Sequence, residues 1–349
     1  MITTDTISTT ESRLGVKPNA AHFEEQVRNH CKTSLEKFES ITRYYALFHI
    51  LFFSAFTVEL LSFLLFFSFF AKSSLLAFSL AIIFLTVFSY FVLLFYFQAK
   101  KPEQFIHLRE EYYGACKQAL SFERGVSETH LSLSHSLRRF ASELHQQEAN
   151  YYSFLNRFTT LSLLLKKFSI WLHWKDVHKM KELLLFLAIN EHIQWVKSEP
   201  TDLEAHASLA DTYCALSKLY MPPNKAEMVW VPPDYFSEET QQKFTSAAER
   251  AIEEFKILDD YAPNDQWVHA QLASLYHDIG LPEQEILEFE KMLKIAPQDR
   301  QILFRLGVLY FQQGYNAKGL RVYEQLKKSK DKKADELISY YDAYVISEA

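Results

Sequence analysis

PNDQWVHAQLASLYHDIGLPEQEILEFEKMLKIA, residues 263 to 296, is followed directly by PQDRQILFRLGVLYFQQGYNAKGLRVYEQLKKSK, residues 297 to 330. Laid over each other, Pro263-Asn264-Asp265 meets Pro297-Gln298-Asp299, and Leu272, Ala273 and Tyr276 meet Leu306, Gly307 and Tyr310. Gly280 meets Gly314, and Phe289 meets Tyr323. A fixed period of this length marks stacked helix-turn-helix units, none of which buries its apolar face alone. The residue types fit that geometry. A small residue, Ala273 or Gly307, lets a second helix approach closely, and Leu and Tyr one turn away fill the seam. Gly280 and Gly314 suit the left-handed position that ends a first helix, and Pro263 and Pro297 end a second.

Extended backward, the frame puts Leu209, Ala210 and Tyr213 in the same roles, behind Pro200 and Asp202. The matching second helix, carrying Ala251 and Phe255, comes about 29 residues later than the period requires, which predicts an insertion over 220–244 with Trp230 between two proline pairs. That segment is read either as an ordered contact or as an unstructured excursion. Ala188 and Pro200 keep the spacing of one earlier second helix, whereas Lys175 breaks the pattern of its first. Leu337, Tyr340 and Tyr344 fall on a last helix, flanked by Asp335, Glu336 and Asp342, which reads as a solvated cap.

From about Leu203 to Ala349 the chain resembles the tetratricopeptide repeat family, with its 34-residue units, Leu-Gly-x2-Tyr core and closing Pro. Glu285 and Gly319 depart from the pattern, standing where the second helix usually has Ala. The resemblance implies an α-solenoid that binds a protein or peptide in a concave groove lined by first helices. Carried over by position, the groove residues are Trp267, Ala270, Gln271, Ser274 and His277, then Gln301, Phe304, Arg305, Val308 and Phe311. The family's carboxylate clamp is not matched, because Ala270, Ser274, Phe304 and Val308 occupy its key places. Trp267, Phe304 and Phe311 instead point to an apolar or helical partner if exposed, or to packing against the cap.

A second pattern dominates the N-terminal half. Tyr44 to Ala71 and Leu75 to Phe97 are apolar segments separated only by Lys72, Ser73 and Ser74. Each exceeds the ~20 residues that cross a bilayer core, and their apolar residues cover every face rather than one stripe. A two-helix transmembrane hairpin over 44–98 is the expectation. Arg28, Lys32, Lys37 and Arg43 before it and Lys100, Lys101 and Arg109 after it place both termini on the cytoplasmic side, in a two-pass integral membrane protein. Glu59 lies at membrane depth, where a charge is costly, so it calls for a partner such as Ser79, Thr86 or Ser89, or for self-association through the hairpin.

Around these parts the sequence predicts a disordered Ser/Thr-rich tail over 1–19, an amphipathic helix over 20–43 and a helical stalk over 102–200, with a break near Gly125. Within the stalk, Tyr151 to Trp174 joins a leucine-rich run to Lys166, Lys167, Trp171 and Trp174; it either lies in the headgroup layer or packs under the next domain. The fold class is therefore all-α: hairpin, stalk and C-terminal tetratricopeptide solenoid over 201–349. The two hydrophobic lobes behind the Ser/Thr-rich start are similar in architecture, over residues 1 to 101, to inclusion-membrane proteins of chlamydiae, which implies a secreted effector placed in a host-derived membrane.

A formal net charge of -6 and the lack of a basic patch speak against a nucleic-acid partner. Seven glycines suit a helical protein better than a phosphate-cradling fold. Cys31, Cys116 and Cys214 are too scattered for a zinc site or a disulfide framework. No GxxxxGK[ST], GxGxxG, HExxH or GxSxG occurs, and His130, His135 and His145 lack ligand spacing and read as surface or stalk residues. No catalytic residue, cofactor or metal is expected; the expected partners are a protein ligand and the lipid bilayer.

Overall fold

A computed structural model describes residues 18–67, 75–120, 127–144, 159–221 and 237–341. The tail before Pro18, the turn at Lys72, the break at Gly125, the stretch 145–158, Trp230 with its proline pairs, and Tyr344 lie outside the described residues. Among those described there are eleven α-helices and no strand. They are α1 (Pro18–Leu65), α2 (Leu75–Leu120), α3 (Ser127–Glu143), α4 (Thr159–Ser198), α5 (Leu203–Tyr220), α6 (Glu238–Tyr261), α7 (Gln266–Asp278), α8 (Pro282–Ile295), α9 (Arg300–Gln312), α10 (Asn316–Lys328) and α11 (Lys333–Ile338). The described chain divides within α4, after Glu191, into two compact units.

In the first unit α1 and α2 run antiparallel over their whole common length. Lys37 pairs with Glu111, the Tyr45 hydroxyl donates to Gln104 at 2.8 Å, His49 meets the Tyr90 hydroxyl at 3.2 Å, and Thr86 donates to Glu59 at 2.8 Å. The expected amphipathic helix and first apolar segment are thus one helix, because nothing in Ala20 to Leu65 interrupts the ladder. The pair has two chemically different halves. Away from the apolar segments, Phe38, Phe105, Tyr112, Cys116, Leu133 and Phe140 are buried together, with Tyr112 donating to the Ser136 carbonyl of α3 at 2.8 Å. Burial pushes the Cys31 thiol up to about 12 and the Cys116 thiol up to about 11, so both are inert packing groups. Along the apolar segments the outward side chains lie open: Leu51, Phe53, Phe84 and Leu85 are each more than half exposed. Both helices are long and apolar enough to cross a membrane, and none of their most apolar windows is buried.

In the second unit consecutive helices pair as α5 with α6, α7 with α8, and α9 with α10. Each first helix starts on an aspartate, Asp202, Asp265 or Asp299, whose carboxylate accepts from a backbone N–H two residues on at 2.8 to 2.9 Å. Gly280 and Gly314 take φ of 74° and 73°, and the N–H groups of Leu281 and Tyr315 return to the Tyr276 and Tyr310 carbonyls at 2.8 and 2.7 Å. That closure ends both first helices in a left-handed residue and starts the second helix within two residues. The insertion is shorter than the sequence predicts. Ser237 caps α6, and Phe244 is buried within it, so 238–244 belong to the second helix of the split unit.

Candidate functional site

The positions expected to line a groove fall into two sets. Trp267 is 46 % exposed, resting edge-on against Phe255 with ring centroids 5.6 Å apart. Ser274 and Gln301 are exposed, and Ala270, Gln271 and Phe304 are half-buried, with Lys333 of α11 lying 5.5 Å over the Phe304 ring. Val308 and Phe311 are buried instead, Phe311 completely. The Phe311 ring packs edge-on against Tyr341 at 5.6 Å and fills the space beside Gly319, where a Cβ would lie 2.6 Å from its Cδ1.

That contact recurs in altered chemistry in the other units. The position of Phe311 is held by His277 one unit earlier and by Cys214 before that; the position of Gly319 is held by Glu285 and then Ala251. Cys214 and Ala251 are buried in one core cluster. His277 Nδ1 lies 3.0 Å from Glu285 Oε2. The two residues that break the expected Ala pattern are therefore matched to their partners: a large ring takes a glycine, an imidazole takes a carboxylate, a thiol takes a methyl. Arg305 of α9 adds a bond to Glu285 Oε1 at 3.0 Å, so the carboxylate, almost wholly buried, holds one groove-position residue from each of two units. His277 and Arg305 are occupied within the chain, and Trp267, Gln271, Ser274 and Gln301 remain as the open part of the expected groove.

A second recurring contact was not legible from residue spacing. His206 Nδ1 meets Glu254 at 2.6 Å while its Nε2 lies 3.0 Å from the Pro200 carbonyl; His269 Nδ1 meets Glu288 at 2.7 Å while its Nε2 lies 3.0 Å from the Pro263 carbonyl. Each imidazole ties the start of a first helix to the middle of its second and to the preceding turn. In the third unit Leu303 and Val322 hold these two positions, both buried in one apolar cluster. In the first unit of the molecule His130 is buried and meets Glu191 at 2.7 Å, with the Tyr113 hydroxyl donating to the same carboxylate. His130, Leu133, Ser134 and Leu137 keep the intervals of His206, Leu209, Ala210 and Tyr213, so His130 is a packing residue of the repeat type rather than a surface histidine.

Among the described residues Asp259, His269 and Glu288 place three ligand atoms within 4.8 Å of one another, a metal-like grouping. Lys291 Nζ lies 3.0 Å from Asp259 and 3.1 Å from Glu288, so an ammonium already bridges the two carboxylates, and both ring nitrogens of His269 have protein partners. The arrangement reads as a structural ion-pair network.

No protein-family model and no curated protein matches the chain. Among solved structures, the human IFIT1 dimer with m7Gppp-AAAA aligns at 14 % identity over 69 % of this chain and 60 % of its own, with a TM-score of 0.33. A thermophilic TPR protein of Thermus thermophilus aligns at 14 % identity over 70 % of this chain and 99 % of its own, with a TM-score of 0.29. The chain thus spans about three fifths of the length of IFIT1.

Proposed function

We propose that the protein is a membrane-anchored, non-catalytic scaffold whose tetratricopeptide-type unit holds a protein partner at the cytoplasmic face. The observation that carries the reading is that no residue in the most apolar windows of α1 and α2 is buried, while large side chains there such as Phe53 and Phe84 are more than half exposed. Exposed apolar surface on that scale needs a bilayer or a large partner surface, and all-round hydrophobicity in a hairpin favours the bilayer. On the other unit, Trp267 offers an aromatic anchor among small and amide side chains, a composition suited to an apolar or helical segment and poor for a phosphate or nucleic acid.

Alkaline extraction of membranes tests the anchor: the intact chain stays in the pellet, and release into the supernatant would refute it. Because the three native cysteines are buried, topology is read from a cysteine introduced at exposed Lys243, which a membrane-impermeant reagent labels only from the cytoplasmic side. Affinity purification in mild detergent, comparing the intact chain with one lacking Leu203 to Ala349, tests the scaffold; partners retained by the shortened chain would place binding elsewhere. Placement in a host-derived membrane is the alternative, and export through a type III secretion apparatus is the observation that favours it.

A further inference from the structure

We infer that the last repeat unit carries a basic patch, formed by Arg321, Lys328, Lys330 and Lys332, that docks on anionic lipid headgroups. The inference rests on the reading of α1 and α2 as a membrane hairpin.

Seven basic and two acidic residues lie from Lys318 to Lys333, a local excess that the chain-wide charge of -6 conceals. Lys318, Arg321 and Lys328 share one face of α10 over ~15 Å, away from the side that buries Gly319, Val322 and Leu326. Lys330 and Lys332 follow in the turn before α11. Two neighbouring lysines are engaged: Lys318 bonds Glu290 at 3.1 Å, and Lys327 lies 5.3 Å over the Tyr323 ring. The side chains of Arg321, Lys328, Lys330 and Lys332 are exposed and make no hydrogen bond, ion pair or ring contact among the described residues.

The repeat itself does not require these charges. Arg321, Lys327, Lys330 and Lys332 stand where the preceding unit has Leu287, Leu293, Ala296 and Gln298. In the split unit Glu253, Asp259 and Asp260 hold the positions of Arg321, Lys327 and Lys328, a reversal of sign at the same places. Glu253 meets Arg250 at 2.9 Å and Asp259 meets Lys291 at 3.0 Å, so two of these three acids are offset within the chain, whereas the basic patch is not. Lys330 also takes φ of 54°, a left-handed position that ordinarily selects glycine, so a lysine stands there against the backbone preference.

Unpaired cations spread along an outer helix face and the turn after it fit a surface of mobile anionic headgroups. The cytoplasmic leaflet supplies such a surface, and each basic side chain near it adds a small increment of attraction. The hairpin holds that surface at high effective concentration, so a patch too weak to recruit a free protein suffices in a tethered one. A single-stranded nucleic acid would call for open stacking rings, but Tyr315 and Tyr323 beside the patch already carry Lys318 and Lys327 over a face.

The test follows amide hydrogen exchange in the full chain inserted in vesicles of phosphatidylcholine alone or mixed with phosphatidylserine. Slower exchange over 316–338 with phosphatidylserine is expected. High salt should abolish the slowing. It should also be lost in an Arg321→Gln/Lys328→Gln/Lys332→Gln chain that exchanges like the intact one in phosphatidylcholine. Equal exchange of the intact chain in the two vesicle types would overturn the inference and leave the hairpin standing. A slowing that persists in the variant would overturn it by placing the contact elsewhere. Slowing by added polyuridylate in phosphatidylcholine vesicles, with none from phosphatidylserine, would overturn it in favour of a nucleic acid. Release of the chain from both vesicle types at alkaline pH would overturn the hairpin and the inference together.

Discussion

His206 and Glu254 meet at 2.6 Å across 48 residues of chain, and His269 and Glu288 make the same contact across 19. The difference, 29 residues, is the delay that the sequence frame assigns to the split unit. The pair therefore marks the register of the fold independently of the leucines and tyrosines. Removing one member leaves a carboxylate without its donor at a part-buried site, a cost of about 1–3 kcal/mol. Replacing both by the apolar residues of the third unit removes the charge as well. His206→Leu is expected to lower hydrogen-exchange protection in α5 and α6, and His206→Leu/Glu254→Val to restore most of it.

The same histidine gives the unit a pH dependence with a definite sign. Burial works against protonation of His206, but Glu254 and the Pro200 carbonyl outweigh it and raise the group above its ordinary 6.5. A folded state that holds the proton more tightly than the unfolded chain is favoured wherever protons are available. The stabilisation is complete below the unfolded value near 6.5 and fades as pH rises through the folded one. Thermal unfolding followed by tryptophan fluorescence should fall in midpoint over that rise, and His206→Gln should flatten the profile.

Gly319 is the converse of a favourable helix substitution. Alanine at most helical glycines gains about 0.5–1 kcal/mol. Here the added methyl meets the fully buried Phe311 ring, and overpacking of that kind costs about 1–3 kcal/mol. Gly319→Ala should be net destabilising, read as a lowered midpoint in chemical denaturation.

Phe311 and Trp267 separate stability from binding. Phe311→Ala empties a core site and should cost about 3–5 kcal/mol. Trp267→Ala removes a half-exposed ring and should leave the melting transition nearly unchanged while weakening partner capture, read by pull-down from the same membranes. Unchanged capture in a folded Trp267→Ala protein would remove the expected groove from consideration.

Glu59 accepts from Thr86 at one carboxylate oxygen, and the other is buried without a partner among the described residues. In an apolar segment an unmet acceptor is a drive toward a second copy. Chemical crosslinking in detergent should show dimers for the intact protein and fewer for Glu59→Leu; an unchanged pattern would leave Glu59 a matter of the Thr86 contact alone.

The sequence displayed the parts of the fold that repeat in residue type. Leu, a small residue and Tyr at fixed intervals, an aspartate cap and a glycine stop are visible because the same chemistry serves every unit. Contacts conserved in place but not in chemistry were hidden: Phe311 beside Gly319 and His277 beside Glu285 look like departures until both members are seen together. The histidine struts were hidden because their separations of 19, 48 and 61 residues share no period until the insertions are subtracted. Exposure at Val308 and Phe311 could not be read from register, since it depends on α11 and Tyr341 closing over the last unit. The continuity of α1 through both the packed and the unpacked half had a plain signal, the lack of any breaker between Ala20 and Leu65, which amphipathic and apolar labels had divided.

The two helices of the split unit close on Cys214, Ala251, His206 and Glu254 although the chain departs after Met221 and returns only at Ser237. Each doubling of such an excursion costs only ~0.6 kcal/mol of closure entropy. The pairing of α5 with α6 is thus held by their own side chains, across a break in the sequence that the other units lack.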